Sequence, residues 1–501
     1  MKKILPFIFC IAVSTAAHAQ IMFQKTFGTA LGDYGGSVEQ TLDGGYIVAG
    51  SCAGYACLVK FDASGALVWN KTYNAGDIFF IRETYDGGYV FTGSEYPIIR
   101  TLLGRTDSAG NLLWTKEFDA PGDDWGFGVT LATDSGFVFT GSSGQDVIIF
   151  KTDPAGNMLW SNKFDAGDFE EGMNIQTTLD GGYVIAAYSG SNALVIKTNS
   201  TGTPVWSKIF TGFVNEWATS IEQTNDGGYI IAGGTESFGA GDEDVLLIKI
   251  DDSGNVIWSK AYGNTGWDFA QTVHQTTDGG YVAIGCMDYG SADVKIYAVK
   301  TDSAGNLQWS KTYGGPNLEV AWRNSSGYQA SDGGYIIGGS TASFGAGGRD
   351  MYLIKTDADG NTGCHENGPV TITTTGTITT LVPSITVSTA GIVTQLPSLV
   401  SASGSDSTLC FNNFPTFTEE PATEKNIIIA YPNPVTDNMY IQLPGNNCKL
   451  EITDSLGQII YSEKMNAEKV QINMSNFRPG IYFLRIEKNG DTKTEKISVI
   501  K

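Results

Sequence analysis

Positive charge is scarce in this sequence. Lysine and arginine number 31 against 53 aspartates and glutamates, giving a formal charge of −22. An acidic surface of that size repels nucleic acid and anionic membranes, so neither is expected as a partner. Histidine is scarcer still, at three residues, and cysteine is limited to seven, with no cluster at zinc-ligand spacing. No metal and no other cofactor is therefore expected. Beyond residue 13 no stretch is apolar for long enough to form a transmembrane helix. Catalytic groups are also hard to find. His274, in Val273-His274-Gln275, has no evident partner, and no nucleophile stands beside a base. Acids are numerous enough to leave a glycosidase-type carboxylate pair open, but none is singled out. Asp357-x-Asp359-x-Asn361 has its glycine at the fourth position, which excludes an EF-hand loop.

The N-terminus reads as an export leader. Lys2 and Lys3 precede a short apolar run over residues 4–13, and Ala17-His18-Ala19 is a small-x-small cleavage site, so residues 1–19 are assigned as a signal peptide. Export brings the chain into an oxidising compartment, where disulfides persist. Cys52 and Cys57 flank an expected hairpin turn and form one candidate pair. Cys364 and Cys410 bracket a Thr/Ser-rich segment and form the other. Cys286 and Cys448 read as unpaired.

What the sequence has in abundance is glycine, 63 residues, and aromatics at 11%, a composition suited to short strands and tight turns. A D-G-G-Y-type turn recurs at Asp43, Asp86, Asp134, Asp180, Asp226, Asp278 and Asp332. Each is followed by two apolar runs, then by a D-x-x-G-N-type turn, then in most copies by W-x-K-x-(Y/F), with Trp69, Trp114, Trp160, Trp206, Trp258 and Trp309. The Trp160 copy reads as carrying one extra residue before its lysine. In the fifth unit the strands fall over residues 219–224, 229–234, 244–251 and 255–262. Seven such four-stranded meanders predict an all-β, seven-bladed β-propeller over residues 20–363. The seventh unit lacks its W-x-K strand, and Phe23-Gln24-Lys25-Thr26-Phe27-Gly28 supplies a match at the other end. The N-terminal strand should therefore close the last blade and leave no open edge. The paired glycines are expected to supply positive φ at the turns.

The D-x-x-G-x-x-x-W pattern is similar to the docking motif of quinoprotein propellers, which implies that the tryptophan packs between blades; no quinone site accompanies it. The turns also faintly resemble the Asp-box of sialidases, but a three-arginine carboxylate clamp has no support in the sequence. A less regular feature precedes the first strand of several units: the acid–aromatic pairs Asp33-Tyr34, Asp124-Trp125, Glu216-Trp217 and Asp268-Phe269, with Asp77, Phe169 and Trp322 near the same register. These pairs should crowd one face near the channel mouth. Aromatic faces beside carboxylates suit sugar recognition. The competing reading has the aromatics wedged between blades and the acids capping turns.

After the ring, residues 364–426 read as a Thr/Ser-rich extended segment followed by a Pro/Glu linker. Residues 427–501 read as a small C-terminal β-sandwich. Tyr431-Pro432-Asn433-Pro434, Asp454-Ser455-Leu456-Gly457-Gln458, Pro479-Gly480-Ile481-Tyr482 and the ending from Lys496 closely resemble the type A sorting domain of the Bacteroidota type IX secretion system. That resemblance implies export across the outer membrane, contact with the secretion machinery, removal of the tail by a sortase-like peptidase, and attachment to the cell surface or release. The expected role of the ring is non-enzymatic binding of a glycan or another extracellular polymer. The alternatives are a glycosidase-like hydrolase with carboxylates at the channel mouth and an adhesin or scaffold that holds an extracellular protein.

Overall fold

The structure is a computed structural model, and it describes residues 20–95, 99–119, 123–321, 327–388, 392–395, 399–400, 405–412, 429–431, 438–442, 448–454, 459–467, 469–475, 477, 480–488 and 491–499. The leader assigned to residues 1–19, the Pro/Glu linker, Trp322, Pro432, Asn433, Pro434 and Gly457 lie outside these residues. The chain divides into two compact units, Met1–Pro415 and Thr416–Lys501. Among the described residues every element is a strand.

In the first unit each repeat folds as a four-stranded antiparallel meander, and the meanders are arranged like propeller blades. The fifth, for example, runs through Glu216–Gln223, Tyr229–Thr235, Asp244–Ile250 and Val256–Gly263. The first strand begins three residues earlier than the sequence suggested. The acid–aromatic pairs therefore open the inner strands instead of lying in the connections before them. The N-terminal strand Met22–Gly28 pairs antiparallel with Asp350–Lys355 and completes the last sheet. The first and last sheets also touch directly: the Gly35 N–H donates to Ser340 Oγ at 2.9 Å, and the Ser331 N–H donates to Gln40 at 2.9 Å.

Two side-chain devices repeat around this unit. The first joins neighbouring sheets. Trp69, Trp114, Trp160, Trp206, Trp258 and Trp309 each lie against the aromatic that opens the second strand of the next sheet, at centroid distances of 5.3–6.2 Å. Phe23 makes the same contact with Tyr46 at 6.0 Å. Each indole also lies on the glycine of the next sheet's D-x-x-G turn; a Cβ on Gly110 would meet Trp69 at 2.8 Å. The Trp160 copy has no extra residue. Asn162 takes the register position held by Lys208 in the next sheet, opposite Ile149 as Lys208 lies opposite Val195, and donates to the carbonyl of Gly202 at 3.0 Å.

The second device holds each sheet's own turn. The turn aspartate accepts from a buried cation on the third strand, in six sheets a lysine at 2.6–3.1 Å and in the second Arg105. These cations are at most 9% exposed. The two turn glycines therefore have different jobs. Gly44 has a φ of 81°, whereas Gly45 must be small because a Cβ would lie 2.3 Å from the Phe61 carbonyl and 2.5 Å from Lys60 Nζ. Only the first glycine of each pair serves the expected positive φ.

The Thr/Ser-rich segment does something the sequence did not suggest. Its short strands Glu366–Asn367, Ile372–Thr375, Thr379–Leu381, Thr386–Ser388, Ile392–Gln395 and Leu399–Val400 add in turn to the outer strands of the sixth, fifth, fourth, third, second and first sheets. Ser405–Asn412 then pairs with Met22–Gly28 in the last sheet. One segment thus passes along every sheet in reverse order as a belt and pairs the outer edges, which would otherwise be free to recruit other chains. β-branched, uncharged residues suit this half-exposed strand role. The ends of the belt meet at Gln24, whose backbone pairs with Cys410 and whose Nε2 donates to the carbonyl of Cys364 at 2.6 Å. Cys364 is disulfide-bonded. Cys52 and Cys57 are bonded across their hairpin, while Cys286 and Cys448 are buried thiols outside any disulfide.

The second unit has a three-stranded sheet, Ile429–Tyr431, Asn438–Gln442 and Lys469–Asn473, and a four-stranded sheet, Ile459–Met465, Cys448–Asp454, Gly480–Lys488 and Asp491–Val499. Met439, Ile441, Leu450, Ile452, Leu484 and Ile497 fill the core of this sandwich. Asp454 pairs with Tyr482 and Lys496 with Phe483, and Gly480 starts the long hairpin at the chain end.

Two stability outcomes are expected. Asp332→Ala leaves the Lys355 ammonium buried with one partner fewer and should cost about 2 kcal/mol in urea unfolding; Asp332→Ala with Lys355→Met should recover part of it. Cys364→Ser, which removes the disulfide made by Cys364, should lower stability by about 2–4 kcal/mol, read from the same transition without reductant.

Candidate functional site

The first residue or two of each inner strand place an acid in one register: Asp33, Asp77, Asp124, Glu170, Glu216, Asp268 and Glu319. Glu170 and Glu319 belong to this set and were missed in the sequence because glutamate and valine, not aromatics, follow them. Apart from half-buried Asp77, all are fully buried. Their oxygens hold the local loops together. Asp33 accepts from the Thr29 and Ala53 N–H groups at 2.6 and 2.9 Å. Glu216 accepts from the Gly212 N–H at 2.5 Å and the Thr235 hydroxyl at 3.1 Å. Asp268 accepts from the Asn264 and Asp288 N–H groups at 2.6 and 2.8 Å. The acid half of these three pairs thus caps turns.

The aromatic half points elsewhere. Tyr34 is 49% exposed and lines a cavity of about 720 Å³ with Phe79, Tyr289, Asp77, Ser291 and Arg349. The Arg349 guanidinium sits 5.7 Å over the Tyr34 ring. Trp125 is half-buried and belongs to a stacked run with Phe79 and Phe127, with centroids 5.7–6.2 Å apart. Phe79 and Phe127 occupy β-bulge positions, where one extra residue re-aims the side chain. Trp217 and Phe269 meet in a second pocket of about 270 Å³, walled also by Met173, Trp267, Gln271, Tyr289 and Glu243. The nine sequence candidates therefore do not share one site: Tyr34 belongs to the larger cavity, Trp125 to the stacked run, Trp217 and Phe269 to the smaller pocket.

Glu243 and Arg349 were not picked out, although a sequence signal exists. Ser237-Phe238-Gly239-Ala240-Gly241 and Ser343-Phe344-Gly345-Ala346-Gly347 are the same loop in the fifth and seventh units. Two residues after each comes the position held by Glu243 in one and Arg349 in the other, so one loop serves neighbouring pockets with opposite charges. Glu243 is 6% exposed, and its Oε1 has no hydrogen-bond partner. Burial first, then the nearby charges of Glu236, Asp268 and Asp244, push its carboxyl up to about 9. His274 is not partnerless: Nδ1 bonds to Glu222 on the adjacent sheet and Nε2 lies 3.2 Å from the Thr272 hydroxyl. Both ring nitrogens are occupied by structural contacts.

The comparisons bear on both units of the chain. The secretion system C-terminal sorting domain family matches residues 429–501. The repeat family described as outer membrane protein assembly factor BamB matches residues 144–344. The molecule is thus a propeller-like repeat protein with a sorting tail. That tail is a sorting domain of the type IX secretion system; it marks export across the outer membrane to the cell surface or extracellular space, and implies contact with the secretion machinery. Among solved structures, PorZ, an essential bacterial surface component of the type IX secretion system of Porphyromonas gingivalis, is 11% identical at a TM-score of 0.39, covering 91% of this chain and 58% of its own length. A protein from Lactobacillus plantarum is 11% identical at a TM-score of 0.38, covering 57% of this chain and 94% of its own. Likenesses this distant carry no argument about function. No curated protein sequence matches significantly.

A raised carboxyl has a stability signature. Folding keeps Glu243 protonated up to about pH 9, so its contribution is fully present below its unfolded pKa of about 4.3 and is lost as pH rises through the folded value. Glu243→Gln should melt close to the parent at pH 4 and above it at pH 8; equal melting at both would show that the carboxyl is not held neutral.

Proposed function

We propose that this is an exported, surface-displayed or released seven-bladed propeller, closed by its N-terminal strand, that binds a glycan or related extracellular polymer without transforming it. The pairing of Met22–Gly28 into the last sheet and the Phe23–Tyr46 contact support a ring with no open seam. A sortase-like peptidase would act on the sandwich tail during export.

The observation that carries the binding reading is the larger cavity. It presents Tyr34, Phe79 and Tyr289 beside the hydroxyls of Ser51, Ser291 and Ser340 and the charged groups of Asp77 and Arg349. Flat apolar faces next to dispersed hydrogen-bonding groups are what a sugar ring needs: stacking on its C–H face and partners for its hydroxyls. Gly35, Gly36, Gly50 and Gly54 also line it. The acids of the acid–aromatic pairs serve as scaffold, and the ligand-facing role falls to the aromatics.

The test is a glycan array probed with the exported chain, residues 20–501, and with Tyr34→Ala and Trp125→Ala, each checked for unchanged melting. A specific signal that falls about tenfold in a folded variant is expected. A signal indifferent to both substitutions would refute the aromatic mouth as the binding face.

A further inference from the structure

The smaller pocket has a different chemistry from the larger cavity. Trp217, Trp267, Phe269 and Tyr289 form its walls, and Phe269 packs edge-on to Tyr289 at 5.2 Å. Trp267 is 47% exposed, a large apolar surface left open to solvent. At the base lies Glu243, 6% exposed, with Oε1 unpartnered. No lysine or arginine pairs with it among the described residues. Trp217 and Glu243 are neighbours across Gly234, where an added Cβ would lie 2.8 Å from the indole and 2.2 Å from the carboxyl oxygen.

A buried carboxyl oxygen with no partner is costly and calls for a ligand that completes it. The walls decide which ligand. A metal ion requires several oxygen ligands, and four aromatic side chains supply few. A sugar requires several hydrogen-bonding partners, and the pocket offers only Glu243, Gln271 and groups on the rings. A cation with an apolar shell satisfies both surfaces: on binding it favours loss of the Glu243 proton to solvent, its charge meets the resulting carboxylate, and its methyl groups meet the electron-rich ring faces. Glu236, Asp244 and Asp268 make the local potential negative and favour the same sign of charge. The equivalent loop position in the neighbouring cavity carries Arg349, whose charge reaches the shared Tyr289, so the preference for a cation lies on the Glu243 side of this pocket.

We propose that this pocket binds a methylated ammonium group of the choline type, with Glu243 as its counter-ion and Trp217, Trp267 and Tyr289 as the walls that contact its methyl groups. This site shares the Tyr289 wall with the larger cavity but is separable from the glycan reading, because neither Tyr34 nor Trp125 lines it.

The experiment is isothermal titration of the exported chain with choline chloride and with 3,3-dimethylbutan-1-ol, its neutral isostere. Choline should bind in the millimolar range, and the isostere about tenfold more weakly or worse. Glu243→Gln, which cannot ionise, and Trp217→Phe, which keeps the packing but removes the larger ring, should each weaken choline by a similar factor. Tyr34→Ala should leave choline binding unchanged even if it abolishes a glycan signal, so the two readings fail separately. Co-sedimentation with phosphatidylcholine vesicles identifies the source: pelleting assigns a lipid head group, and its absence beside soluble choline binding assigns a free or polymer-borne one. Absence of choline binding to the folded parent, equal affinity for the isostere, or full affinity in Glu243→Gln would each overturn the proposal.

Discussion

A flat aromatic ring laid on a glycine turn is the contact on which the rest of the ring unit depends. A four-stranded meander has two apolar faces and cannot bury both alone. Each tryptophan of the outer strands crosses to the next sheet, covers its turn glycine and packs on the aromatic that opens its second strand. The last sheet uses Phe23 for this contact with the first. Because the glycine must accept a ring against its α-carbon, the turn sequence and the inter-sheet spacing are one constraint. The buried cation clamped by each turn aspartate fixes the other hairpin at the same end of the sheet, so that end is pinned twice, by a polar and an aromatic contact.

That rigidity is what permits irregularity at the mouth. Inner strands begin with a buried acid that ties down the preceding loop, and the next residue or a bulge residue is then free to vary. Variation at these positions gives tyrosine, tryptophan, phenylalanine or methionine in different sheets. Two copies of one loop add a glutamate and an arginine to adjacent pockets. The chemistry of the mouth is therefore carried by departures from the repeat and its scaffold by the repeat itself. The belt works at the opposite rim, pairing the outer edge of each sheet with a strand too short to form a sheet of its own.

Much of this was legible in the residues. The D-G-G-Y turns, the alternating apolar runs and the W-x-K strands give the meanders, the phase offset of Phe23 to Gly28 gives the pairing of the first strand into the last sheet, and the tail motifs give the sorting domain. The acid–aromatic pairs were visible too, but their two halves were not separable: both lie within one strand, and only the direction of each side chain tells that Glu216 is buried in a loop cap while Trp217 walls a pocket. The Thr/Ser-rich segment gave no hint of its path, since its strands are two to eight residues long and each finds a partner in a different sheet.

By itself, then, the sequence determined the strands, the turns, the docking aromatics and the export signal, because each of these is encoded by spacing within a few tens of residues. Tertiary structure alone decided the belt, the partner of His274, the meeting of Glu243 with Trp217, Trp267 and Tyr289, and the separation of the candidates into distinct pockets. These depend on which sheets stand side by side and on the bulges that turn a side chain toward or away from the mouth, and no local pattern of residues records either.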